Sequence, residues 1–157
     1  MPHGDEIRLN SDFSELLEAF NAAGVEYLLI GGMAFGFHAE PRYTKDLDLW
    51  IRPTRENADR AFAALRTFGA PLAGVSPSDL IDPTSYFAMG VPPNRIDVLN
   101  AIEGIDFERA WPHRVQGQYG PIPMWVIGVD DLIVNKRATG RPRDILDADA
   151  LERLRDS

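Results

Sequence analysis

The segment Asp46-Leu47-Asp48-Leu49-Trp50-Ile51 constrains the fold more than any other in this chain. Strand side chains alternate faces, so Leu47, Leu49 and Ile51 share one side while Asp46, Asp48 and Trp50 take the other. Like charges at neighbouring positions of one face repel and need compensation. A divalent cation is the simplest candidate, and hard carboxylate oxygens suit Mg²⁺, whose shell phosphates and waters complete. A third acid, Asp97, sits in an equally apolar setting, Arg95-Ile96-Asp97-Val98-Leu99. Neighbouring strands lie about 4.8 Å apart, so the three acids converge if these two segments pair. The competing reading is an ordinary solvated strand face, which the Leu-Asp-Leu-Trp-Ile context opposes.

Around these strands the pattern is α+β, a small mixed sheet with helices packed against it. Ser11 can cap a first helix reaching Ala23, with Phe13, Leu16, Leu17 and Phe20 at helical spacing and Gly24 ending it. Residues 25–30 have strand composition and end at Gly31-Gly32, fourteen residues before Asp46; a short helix over 33–38 follows the glycine pair. Thr54 can cap a helix to about Phe68, with Ala58, Ala61, Phe62 and Leu65 facing inward. Residues 69–82 hold turn signals and no clear element. Residues 86–89 and 95–99 read as a hairpin that places Asp97 on its returning strand. Val115 and residues 122–127 suggest a further hairpin or edge strand, since Pro121 and Pro123 are poor central residues. Helices follow over 130–138 and after Pro142, the latter with Ile145, Leu146, Leu151 and Leu154 as its apolar positions.

A chain of 157 residues fits one domain, with a core over about 11–127 and a C-terminal helical segment over about 128–157. No run approaches the roughly 18 apolar residues of a membrane span. The absence of cysteine excludes disulfides and thiolate zinc sites. Met1 to Glu6 lacks the basic start and apolar stretch of a secretory signal, and together these features point to the cytoplasm. The formal charge of −8 argues against long duplex DNA contact, although Lys136, Arg137, Arg141 and Arg143 form a local basic cluster. That cluster either meets phosphate or pairs with Asp144 and Asp147 on a helix surface. Arg42 and Lys45 precede the acidic pair, where they can steer a triphosphate or pair with Asp46 and Glu40.

Glycines at a strand-to-helix junction let backbone approach a ligand closely, and exposed helix N–H groups attract phosphate. Gly31-Gly32 is neither a Walker A loop nor a dinucleotide fingerprint. Taken with Met33-Ala34, His38, residues 41–49 and Ile96-Asp97-Val98-Leu99, it resembles the minimal nucleotidyltransferases of the DNA polymerase beta superfamily. The nearest branch holds stand-alone bacterial proteins similar to abortive-infection and toxin–antitoxin nucleotidyltransferases. Residues 131–136 and 140–147 resemble the C-terminal helical segment of that branch.

The resemblance implies a nucleotidyltransferase fold, a mixed sheet of four to five strands whose C-terminal helices complete the cleft. It implies that Asp46 and Asp48 hold one or two Mg²⁺ ions and that Asp97 completes the site and assists deprotonation of an acceptor hydroxyl. Gly31 and Gly32 would bind phosphates, with Lys45 beside the acidic pair, Lys136 as the main triphosphate contact and Arg143 as a second. The implied reaction moves a nucleoside monophosphate from an NTP such as ATP to a hydroxyl on a tRNA, a protein or a small molecule. The alternative is a catalytically silent, antitoxin-like binding module with a cognate toxin or antitoxin partner; a phosphohydrolase using the same acids is a third. Many members carry Ser after the second glycine, whereas this chain has Met33, which offers no hydroxyl donor. His38 is expected to pack behind the site, and Trp50, Trp111 and Trp125 to belong to the core or a sheet face.

Overall fold

The computed structural model describes residues 9–40 and 46–157. Its elements run α1 (Ser11–Ala22), β1 (Tyr27–Ile30), α2 (Gly31–His38), β2 (Asp46–Ile51), α3 (Arg55–Phe68), β3 (Phe87–Met89), β4 (Arg95–Leu99), α4 (Phe107–Ala110), β5 (Val115–Tyr119), β6 (Ile122–Val126), α5 (Val129–Thr139) and α6 (Pro142–Asp156). The strands form one mixed sheet of six, one or two more than the resemblance implies, in the order β3-β4-β2-β1-β6-β5. The architecture is α+β, as the sequence pattern indicates. Among the described residues no helix is long and apolar enough to cross a membrane.

The alternation of β2 sorts the two faces. Tyr27 lies opposite Ile51 and packs its ring against Phe20 of α1, so the Leu47-Leu49-Ile51 side is the face covered by α1 and α3. Those three residues are fully buried there, with Leu16, Leu17, Phe20 and Leu65 among them. At about 25 cal/mol per Å² of apolar area removed from water, burying these side chains stabilises the fold. The other side carries the acids near the start of β2 and Trp50 near its end. Trp50 meets Phe107 edge to face at 5.1 Å, and Phe107 stacks on Trp111, which meets Trp125. Arg52 and Arg114 lie over these rings, so the segment from 107 to 114 is fastened to the sheet by aromatic and cation–π contacts.

Helix starts depart from expectation: α2 takes in Gly31 and Gly32 instead of beginning at Met33, and α1 is capped one residue earlier. Asn10, not Ser11, caps α1, its Oδ1 accepting from the N–H groups of Asp12 and Phe13, while Ser11 is already helical. Thr54 caps α3 as expected, and Gly69 closes that helix in a left-handed conformation. Residues 69–82, in which no element was evident, contain a short 3₁₀ helix at Pro77–Leu80 started by a Ser76–Asp79 capping box. β5 and β6 do form a hairpin, with β6 beside β1. Pro123 is tolerated because β6 bridges β1 only at the Leu29–Val126 register, three residues further along. In α6, Leu151 is buried but Leu146 and Leu154 are 68% and 52% exposed, a correction to their expected packing role. The buried side of α6 instead includes Asp147, which pairs with a lysine from α5.

Candidate functional site

Three acids meet on the sheet. β2 and β4 are parallel neighbours with Asp48 opposite Asp97 and Asp46 opposite Arg95. One carboxylate oxygen from each of Asp46, Asp48 and Asp97 lies within 4.8 Å of the other two. Asp97 is 8% exposed, and Oδ1 of Asp46 is buried with no hydrogen-bond donor among the described residues. A buried acceptor without a partner is costly, which makes this oxygen a natural ligand for a cation. The donor set, three carboxylates and no nitrogen or sulfur, suits a hard divalent ion such as Mg²⁺. The cluster can therefore hold a divalent metal.

Electrostatics lead to the same assignment. The Asp48 carboxyl is pushed up to about 7 by burial first, then by its hydrogen bond and charge interaction with Asp97 and the charge of Asp46. Arg95 opposes this rise. Its guanidinium grips Asp97 in a forked pair, Nε to Oδ2 at 3.1 Å and Nη2 to Oδ1 at 3.0 Å. Part of the expected charge compensation thus comes from the protein itself. Sequence reading did not single out Arg95, although the signal was present: residues two apart on one strand share a face.

The glycine pair is next to the acids. Ile30 pairs with Asp48 in the antiparallel β1–β2 ladder, and α2 begins at Gly31. Gly31 has φ +71°, and a Cβ there would run into Oδ2 of Asp48. Only glycine lets the chain turn from strand to helix at this point while the carboxylate rests against its backbone. Among the described residues no side chain caps α2, which leaves first-turn N–H groups for an anion there. Met33 is partly buried against the core. His38 hydrogen-bonds through Nε2 to the Ile127 carbonyl at 2.6 Å, pinning the end of α2 to the strand side, as its packing role implied.

The expected basic contacts have different settings. Lys136 is buried, its Nζ 3.0 Å from Asp147 and 3.4 Å from Asp144, and lies over the Phe35 ring of α2 at 5.8 Å. It ties α5, α6 and α2 together, close to the pairing considered for a helix-surface cluster but inside the protein. Arg143, in the first turn of α6, is exposed and makes no ion pair among the described residues. Arg42 and Lys45 lie outside the described residues. His113, to which no role was assigned, pairs with Asp131 at 3.1 Å. Trp50 is buried in the aromatic cluster, and Trp111 and Trp125 are half-buried within it, consistent with the expectation for all three. Compared with models of protein families and with curated proteins, the chain matches none of them.

Proposed function

We propose that this protein is a Mg²⁺-dependent nucleotidyltransferase, moving a nucleoside monophosphate from an NTP to an acceptor hydroxyl and releasing pyrophosphate. The reading rests on the convergence of Asp46, Asp48 and Asp97 beside the glycine-opened start of α2. Asp46 and Asp48 would hold the metal. A divalent ion bound there neutralises phosphate charge and polarises the reacting oxygens. First-turn N–H groups of α2, from Gly31 and Gly32 onward, would receive the β and γ phosphates. Asp97 would orient the acceptor hydroxyl and take its proton as the new O–P bond forms and the bond to pyrophosphate breaks. Arg143 is open for a triphosphate contact, Lys136 would shape the pocket wall, and Lys45 adjoins Asp46 in sequence. The acceptor would be an RNA end such as tRNA, a protein or a small hydroxylated compound, with a polymerase beta-like nucleotidyltransferase fold and C-terminal helices bounding the cleft.

The test is release of pyrophosphate from each of the four NTPs with purified protein, Mg²⁺ and candidate acceptors, beside Asp48→Asn. Metal-dependent turnover lost in the variant supports the assignment; equal turnover in the variant removes it. A second reading, a catalytically silent toxin–antitoxin-type module, draws on Met33, which supplies no hydroxyl, and on the Arg95 guanidinium already holding Asp97. Partner binding without nucleotide turnover under the same conditions would favour it.

A further inference from the structure

Among the described residues, Arg95 is the cation paired with the acid cluster. It lies two positions before Asp97 on β4 and opposite Asp46 of β2, so its side chain starts on the face that carries the acids. The guanidinium does not serve Asp46, whose buried Oδ1 has no donor among the described residues. It turns along its own strand and grips both oxygens of Asp97, Nε to Oδ2 at 3.1 Å and Nη2 to Oδ1 at 3.0 Å. Asp48 hydrogen-bonds to the same carboxylate. A carboxylate has about four lone-pair sites, so most of those on Asp97 are already taken. A divalent cation on this carboxylate would also meet the like charge of the guanidinium at close range. Arg95 and a metal ion therefore compete for Asp97.

The side chain of Arg95 is 36% exposed and that of Asp97 only 11%, so an incoming anion meets the guanidinium more readily than the carboxylate it holds. Planar N–H donors of this kind match the oxygens of phosphate. On the other flank, the start of α2 rests against Asp48, which lies opposite Asp97. Donors thus border the acids on both sides. We propose that Arg95 is an exchangeable latch and phosphate contact: it holds Asp97 in the unliganded protein, yields that carboxylate to the divalent ion and turns to the triphosphate. This inference rests on the proposed metal–nucleotide site and adds that metal and nucleotide binding are coupled through one side chain. An arginine that only braced Asp97 would have the opposite consequence, because its loss would loosen a metal ligand and weaken the site.

Two readouts at fixed pH test the latch. In ¹⁵N-labelled wild type, the Arg95 Nε–H resonance, assigned with Arg95→Lys, should shift and exchange faster with solvent as Mg²⁺ alone is added. In calorimetry, Arg95→Lys keeps the charge without the fork, and Arg95→Met removes both. Each variant should bind Mg²⁺ alone more tightly than wild type, by about tenfold or more for Arg95→Met, because a charge-assisted pair no longer competes. Each should bind a non-hydrolysable ATP or GTP analogue more weakly at saturating Mg²⁺, again by about tenfold for Arg95→Met. If Arg95→Met does not fold with Asp97 unpaired, the wild-type resonance and Arg95→Lys decide the matter. An Nε–H signal unmoved by Mg²⁺, equal or weaker Mg²⁺ binding in Arg95→Lys, or unchanged analogue affinity would each overturn the proposal. Mg²⁺ binding that ignores Arg95 removes the latch alone, whereas no Mg²⁺ binding by any form removes the metal site with it.

Discussion

Asp48 is the residue on which the site's chemistry turns. Its carboxyl titrates near 7, far above the roughly 3.9 of an unfolded aspartate. The folded, metal-free chain therefore binds more protons than the unfolded chain between about pH 4 and 7. This contribution to stability is complete below that window and is lost as pH rises through it. Thermal melts in chelator should show Asp48→Asn gaining on the wild type from pH 5 to 8; parallel curves would contradict the burial and repulsion argument. Metal must displace the same proton, so Mg²⁺ affinity should climb over that window, with proton release seen as a buffer-dependent binding heat. Gly31→Ala imposes a left-handed φ on a residue with a Cβ and presses that carbon into the Asp48 carboxylate. It should cost more than about 1 kcal/mol in denaturant unfolding and weaken Mg²⁺ binding as well. Full stability with unchanged metal affinity would show that the close approach is dispensable.

At the level of elements, Lys136 decides whether the C-terminal helices frame the site or contact its ligand directly. With a side chain 7% exposed between Asp144 and Asp147, it holds α5 to α6. Lys136→Met leaves two largely buried carboxylates without this partner and should cost about 3–5 kcal/mol. A variant of unaltered stability that loses only nucleotide binding would instead identify Lys136 as a phosphate contact. By contrast, Leu146→Ser and Leu154→Ser change exposed positions and should each stay within about 0.5 kcal/mol of the wild type by the same unfolding assay. This difference shows what could be read in advance. The β2 alternation, the Thr54 cap and the helix end near Phe68 are local signals, and the structure places all of them as expected. Lys136 and the leucines of α6 were not legible, because their burial depends on which face of α6 meets α5, and both faces carry apolar residues. Asn10 was missed because two good capping residues, Asn10 and Ser11, stand side by side.

For the whole molecule, the sheet order brings distant acids together: β4 inserts next to β2, and Asp97 comes to rest opposite Asp48, 49 positions earlier in the chain. The glycine pair reaches the same point because β1 runs antiparallel to β2 on the other flank. That convergence followed from sequence only on the condition that the strands were neighbours, a non-local fact that no strand states by itself. The central claim is that this convergence forms a working metal–nucleotide site. Calorimetric titration of metal-free protein with non-hydrolysable ATP and GTP analogues, with and without Mg²⁺, tests it most directly, beside an Asp46→Asn/Asp48→Asn double variant. The account predicts Mg²⁺-dependent binding of at least one analogue by the wild type and none by the variant. Binding that persists without Mg²⁺ or in the variant, or no binding to either analogue, would contradict it.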